Sequence, residues 1–255
     1  MTLDLNVFTN FTANRVEELS IFDTLRSFEA AFGFAAFSNI RVFCHAAPLH
    51  IPFETLHAAL LAAVPGRAIE LYSTRGLADG YVNSIAISTA DVLFQLEHDY
   101  RFEASAIRHR IADIAQAMRS AHVPYLRFNL RANEIDGLDR LTPFDMAGIA
   151  CCKTVIFSNH PHLVDRAHAV KHYVPHIDRK RGDSRGIEAE LTAAHAAGWI
   201  YGPIGHPPVI AHIDGRAFTK QWRRERLSNR LIEFTSRNAK IVRDKLGLGR
   251  YGRIY

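Results

Sequence analysis

Short apolar runs alternate with helical patterns through the first half of the chain, and this alternation restricts the fold more than any other feature. LDLNVFTNF, residues 3–11, reads as a strand that ends in polar residues. Residues 17–32 place Leu19, Phe22, Leu25, Phe28 and Ala31 or Phe32 at helical spacing. The pattern then repeats, with NIRVFC (39–44), AIELYS (68–73) and DVLFQL (91–96) as strands. Between and after them, 53–64, 80–89 and 107–121 read as helices. Strands separated by helices of this length predict βαβ units and a mostly parallel central sheet flanked by helices.

Composition removes several alternatives. With 48% hydrophobic and 22% charged residues, the chain is neither disordered nor fibrous. At 255 residues it is long enough to bury a core without a disulfide framework. Cys44, Cys151 and Cys152 lack the CxxC spacing of a zinc or redox motif and suit a reducing cytoplasm. No stretch reaches the roughly 18 apolar residues of a membrane span, and MTLDLNVFTNF has no basic start or apolar core of a signal peptide. A soluble, cytoplasmic protein is expected.

The formal net charge of +5 is unevenly distributed. From Lys220 to Arg253 there are eleven Lys or Arg and three acids, a net of +8, against 20 basic and 23 acidic residues elsewhere. No internal repeat or low-complexity linker interrupts the chain, so one domain over 1–216 and a basic helical extension over 217–255 are expected.

In parallel sheets, ligands sit outside the carboxyl ends of the strands. There the sequence places Thr9 and Asn10, then His45, then Thr74 and Arg75, and finally Glu97-His98-Asp99. Two carboxylates spaced i, i+2 at the exit of a buried strand point to one side and can share a hard divalent cation. Mg²⁺ or Mn²⁺ held this sparsely completes its shell with substrate phosphate oxygens, so a nucleoside diphosphate is a natural ligand. A solvated acidic turn is the competing interpretation.

The run RGLADGYVNSIAISTADVLFQLEHDYRF, residues 75–102, resembles the nucleotide-sugar glycosyltransferases of the GT-A fold, especially the family 2-like group. In that group a Gly-containing turn and an Asn-bearing helix lead into an apolar strand ending in D-x-D. Gly76, Asn83 and Asp91 fit that pattern, and Glu97-His98-Asp99 stands in for the D-x-D. Two departures exist: the first acid is Glu, and the second strand ends in CHAAP where the group has an acid facing the nucleobase. The resemblance implies that Thr9, Asn10 and Arg75 line the nucleoside pocket and that Asn83 helps to position it. It also implies that Asp99 binds the metal and that Glu97 serves the ribose or the metal. Thr9 and Asn10 equally suit a helix cap, Arg75 a surface charge, and Asn83 a buried backbone contact.

In the second half, CKTVIFS (152–158) reads as a strand ending in Asn159-His160-Pro161-His162, with 163–170 helical. Its position resembles the part of these enzymes that faces the donor sugar, making Ser158, Asn159 and His160 candidates for sugar contact. His160, His162, His168, His172 and His176 also raise a zinc site, but no HExxH arrangement or nearby thiol supports one, and surface histidines account for most of them. Within 183–202 a helix begins near Glu188, which lies 91 positions after Glu97. The resembled group places its proton-accepting carboxylate at the start of a downstream helix, so Glu188 is the candidate general base. An acid favouring the helix dipole is the plainer account. His212, on a short apolar strand within 205–216, resembles a C-terminal histidine that returns to the metal or diphosphate, and a core histidine is the alternative.

The reading is a GT-A fold glycosyltransferase moving a sugar from a UDP- or GDP-sugar to a hydroxyl acceptor with Mg²⁺ or Mn²⁺. A glycan or glycolipid acceptor in cell-surface polysaccharide or lipopolysaccharide synthesis is expected. Residues 217–255 suit peripheral contact with an anionic inner membrane face. A nucleotidyltransferase would need a Gly-rich, Lys-containing loop after the first strand. Nucleic acid could engage the basic segment, yet no zinc finger, helix-turn-helix or aromatic RNA-binding motif is present.

Overall fold

The computed structural model describes residues 1–10, 15–45, 51–135, 139–180, 185–194 and 198–213. The basic segment 217–255 lies outside the described residues.

The first half follows the alternation in the sequence. Strands β1 (Leu3–Asn10), β2 (Asn39–His45), β3 (Ile69–Thr74) and β4 (Val92–Glu97) alternate with helices α1 (Ile21–Phe32), α2 (Phe53–Ala63) and α3 (Leu77–Ile87). After β4 come a short strand β5 (Tyr100–Phe102), helix α4 (Ile111–Ser120) and strand β6 (Tyr125–Arg127). A hairpin follows, β7 (Thr142–Met146) and β8 (Ile149–Thr154), then β9 (His162–Asp165). A single helical turn α5 (Arg166–His168) runs into a π-helical turn, Ala169–Tyr173. Helix α6 (Arg185–Ala194), β10 (Gly198–Tyr201) and β11 (Ile210–His212) close the described chain.

Among the described residues, the nine-stranded sheet has the order β3-β2-β1-β4-β9-β6-β10-β8-β7, and β11 pairs with β5 in a separate ribbon. The pairings make β3, β2, β1 and β4 mutually parallel, and β6 parallel to β10. Only β9 and β8 run against the remaining seven strands. The sheet is therefore mostly parallel and lies between helices on both faces.

Alternating side chains assign each helix to its face. Leu5 and Val7 of β1 and Val92, Phe94 and Leu96 of β4 pack with Leu25 and Phe28 of α1, Leu60 of α2 and Ile114 of α4. On the opposite face, Phe8, Phe43 and Leu93 meet Tyr81, Val82 and Ile85 of α3, with Tyr173 and with Ile187 and Leu191 of α6. Close approach of α3 is set by Gly80, where a Cβ would stand 3.3 Å from the Phe8 ring.

Several boundaries differ from the sequence reading. The strand expected over 152–158 is β8, which spans Ile149–Thr154, and Ser158 lies beyond it in irregular chain. The helix expected over 163–170 begins instead with β9, a four-residue strand inserted antiparallel between β4 and β6. Burial on both faces leaves such a strand no apolar-polar alternation to read. His162 is on that strand and is 1% exposed, so it is not a surface histidine. Helix α3 starts at Leu77 rather than residue 80, and α4 starts at Ile111 rather than 107.

Candidate active site

The parallel strands deliver Asn10, His45, Thr74 and Glu97 to one edge of the sheet. Thr9 is buried and its hydroxyl donates to the Asn10 carbonyl at 3.3 Å, whereas the Asn10 side chain is exposed. Beside them, the N-terminus of α3 is organised around Asp79, which is 4% exposed. Asp79 Oδ1 accepts from Arg75 Nη2 at 3.2 Å and from Arg179 Nη2 at 2.6 Å. Oδ2 accepts from the Arg75 backbone N–H at 3.2 Å and from Asn83 Nδ2 at 3.5 Å, and Asn83 Oδ1 accepts from Arg179 Nη2 at 2.9 Å. Burial opposes the Asp79 charge, but the hydrogen bonds from Arg179 and Arg75 outweigh it and bring its pKa to about 2. Arg75 and Asn83 are thus brought together, on an acid and an arginine that sequence reasoning missed. The signal was available, because Asp79 stands four residues from each.

A second cluster joins residues distant in sequence. Glu97 Oε1 accepts from Asn159 Nδ2 at 2.7 Å. Glu188 Oε1 accepts from the Asn159 backbone N–H at 2.7 Å and from the Ser158 hydroxyl at 3.1 Å. One residue therefore touches both carboxylates. Glu188 comes from the first turn of α6 and Glu97 from the end of β4.

The turn carrying Asn159 is held from below. Tyr125 donates its hydroxyl to the Ser158 carbonyl at 2.5 Å. His162 Nδ1 lies 2.8 Å from the His160 carbonyl, which can only accept, so Nδ1 carries the proton and Nε2 accepts from the Tyr81 hydroxyl at 2.8 Å. Complete burial favours the neutral ring and lowers the His162 pKa to about 4. His160 is also driven well below 6.5, first by burial and then by the charge of Arg127, whose Nη1 lies 3.4 Å from His160 Nδ1.

Asp99 faces a different partner. The strand ends at Glu97, so the two-residue alternation does not carry through to Asp99. Register pairs His212 on β11 with Tyr100 on β5, and their rings meet at a tilt of 32° with centroids 4.4 Å apart. His212 Nδ1 stands 3.8 Å from Asp99 Oδ2. Asp99 Oδ1 and His212 Nδ1 are buried without a hydrogen-bond partner among the described residues. Such orphaned acceptors suit a cation that a bound ligand helps to coordinate. Among the described residues, no three His, Cys, Asp or Glu side chains are gathered to hold a metal on their own. Mg²⁺ and Mn²⁺ fit the smaller set, since one or two protein groups plus phosphate oxygens suffice.

Next to Glu188 is a cavity of about 260 Å³, bordered on its polar side by Arg127, Asn129, Arg131, Ser158 and His160. Arg127 is 3% exposed and forms an ion pair with Asp139. Neither Arg127 nor the cavity was foreseen in the sequence. His162 is not available to the zinc alternative, since its ring nitrogens are both committed to Tyr81 and the His160 carbonyl. No described helix is long and apolar enough to cross a membrane.

No known family model matches the sequence, and no curated protein matches it either. Solved structures do share its fold. Residues 1–349 of TarS from S. aureus align with a TM-score of 0.53 at 12% identity, covering 83% of this chain and 60% of TarS 1–349. The same fragment in complex with UDP gives a TM-score of 0.53 at 11% identity, again over 83% and 60% of the two chains. Its complex with UDP-GlcNAc gives 0.50 at 11% identity, over 83% and 58%. The chain thus spans about three-fifths of the TarS fragments it resembles, and it shares their fold.

Proposed function

We propose that this protein transfers a sugar from a nucleoside-diphosphate donor, a UDP- or GDP-sugar, to a hydroxyl acceptor, and that it is akin to the family 2-like group. The observation that carries this reading is the pair of carboxylates, Glu97 and Glu188, bound by the side-chain amide and the backbone N–H of Asn159 at the carboxyl edge of the sheet. The neighbours with UDP and UDP-GlcNAc bound support a nucleotide sugar as donor.

In this reading the nucleoside lies over the ends of β1 and β3, against Thr9, Asn10, Arg75 and Asn83. Arg75 and Arg179 share the Asp79 carboxylate, which fixes both guanidiniums beside the nucleotide. Asp99 and His212, with Glu97 beside them, would hold Mg²⁺ or Mn²⁺. When bound, that ion supplies a positive charge that offsets the charge on the leaving diphosphate. Ser158 and His160 border the sugar, and neutral His160 adds no charge there.

Glu188 Oε1 is fixed by two donors, and the carboxylate borders the 260 Å³ cavity through which an acceptor hydroxyl would approach. Glu188 takes the hydroxyl proton as that oxygen bonds to the anomeric carbon and the bond to the diphosphate breaks. A glycan or glycolipid of the cell surface suits this acceptor role. Residues 217–255, with the basic excess from Lys220 onward, suit contact with an anionic membrane face or a phosphorylated polymer.

The test is a screen of nucleotide sugars for release of nucleoside diphosphate with and without Mn²⁺ or Mg²⁺. Metal-dependent release from one donor class supports the reading. Steeply salt-dependent binding of nucleic acid with no donor turned over would overturn it in favour of a binding protein.

A further inference from the structure

We propose that the turn at residues 158–160 is a rigid cradle for two carboxylates, and that Asn159 is the positioning residue that keeps Glu188 in register with Glu97. The inference rests on the roles given above to Glu97 and Glu188 and adds the device that joins them.

The two acids come from β4 and α6, elements that share no strand pairing. Both are bound by one residue, through different groups. The Asn159 side-chain amide donates to Glu97 at 2.7 Å, and its backbone N–H donates to Glu188, also at 2.7 Å. Three bonds that involve neither acid fix the turn itself. They run from the Tyr125 hydroxyl to the Ser158 carbonyl (2.5 Å), from His162 Nδ1 to the His160 carbonyl (2.8 Å), and from the Phe128 N–H to the Pro161 carbonyl (2.9 Å). A turn anchored this firmly cannot follow one carboxylate without moving the other.

Asn159 is 5% exposed, which leaves it little surface for a ligand and favours positioning over direct sugar contact. Chemistry at the anomeric carbon needs the base and the donor fixed relative to one another, and a misplacement of about 1 Å costs on the order of a hundredfold in rate. Losing the amide while the backbone N–H remains should therefore lower turnover and spare donor binding.

Two measurements on the full chain test this. In the first, Asn159→Ala is expected to lower kcat by about tenfold to a hundredfold and to leave the donor KM within about threefold. A raised KM with unchanged kcat would overturn the proposal, because it would place Asn159 on the donor itself. The second is independent of catalysis and uses urea denaturation. Asn159→Asp sets a carboxylate against Glu97 and should lower the folding equilibrium constant by about tenfold. Asn159→Asp with Glu97→Gln restores the hydrogen bond with its polarity reversed, and should return to within about threefold of Glu97→Gln alone. Independent, additive losses in that cycle would show that the two side chains do not act together and would also overturn the cradle. If the native protein turns over no nucleotide sugar, the transferase reading fails, and the denaturation cycle still decides the cradle.

Discussion

His162 provides a sharp test of the support beneath the site. Its ring is fully buried, donates to the His160 carbonyl and accepts from Tyr81, so the fold holds it neutral with a pKa of about 4 against an ordinary 6.5. The unfolded chain takes up a proton as pH falls through 6.5, and the folded protein takes it up only near 4. Stability is therefore complete above 6.5 and declines as pH falls, by about 1.4 kcal/mol per unit. Over the whole window the loss is roughly 3 kcal/mol, a large share of the 5–15 kcal/mol typical of a domain. His162→Gln removes the titrating ring and retains an amide able to donate and accept. The variant starts less stable at neutral pH, by about 1–3 kcal/mol for an imperfect replacement of buried hydrogen bonds. Relative to the native protein its stability should rise by roughly 3 kcal/mol between pH 7 and pH 4, cancelling or reversing that deficit, measured by urea denaturation at each pH. Parallel stability curves would refute the neutral, buried ring and with it the account of how the turn is fixed.

Glu188→Gln keeps hydrogen-bonding capacity but cannot take a proton, so kcat for sugar transfer should fall by about 10²- to 10⁴-fold with donor binding retained, as read by steady-state kinetics. Asp79→Asn removes the charge that joins Arg75 and Arg179, and since the Arg75 side chain is 79% exposed and that of Arg179 45%, the expected loss is modest, about 1 kcal/mol by urea midpoint. The same variant should raise the donor KM, because the two guanidiniums lose their common anchor.

The alternation of the first four strands and three helices was legible from elements such as Val92–Glu97, an apolar run, and Ile21–Phe32, a helix with one apolar stripe. Beyond residue 121 the signal weakened for a physical reason. Strands β6, β9 and β10 are three or four residues long, with Tyr125–Arg127 buried throughout, so neither length nor alternation separates them from coil or helix. The acid pair at the end of β4 was visible as a motif, and Glu188 as an acid opening a helix. Their common partner was not, because Asn159 lies 62 residues from Glu97 and 29 from Glu188, and only the insertion of β9 between β4 and β6 brings it between them. His162 was misjudged for a related reason: composition shows a cluster of histidines but not which ring the sheet has enclosed.

The claim on which the remainder depends is that a nucleotide sugar binds at the carboxyl edge of β1 to β4, with a divalent cation between its phosphates and the Asp99–His212 pair. Crystals grown with Mn²⁺ and UDP, with anomalous data collected at the manganese edge, measure this directly. The account predicts a manganese peak within coordination distance of Asp99, with UDP lying beside Arg75 and Asn83. Manganese and UDP bound together at any other place on the molecule would contradict it.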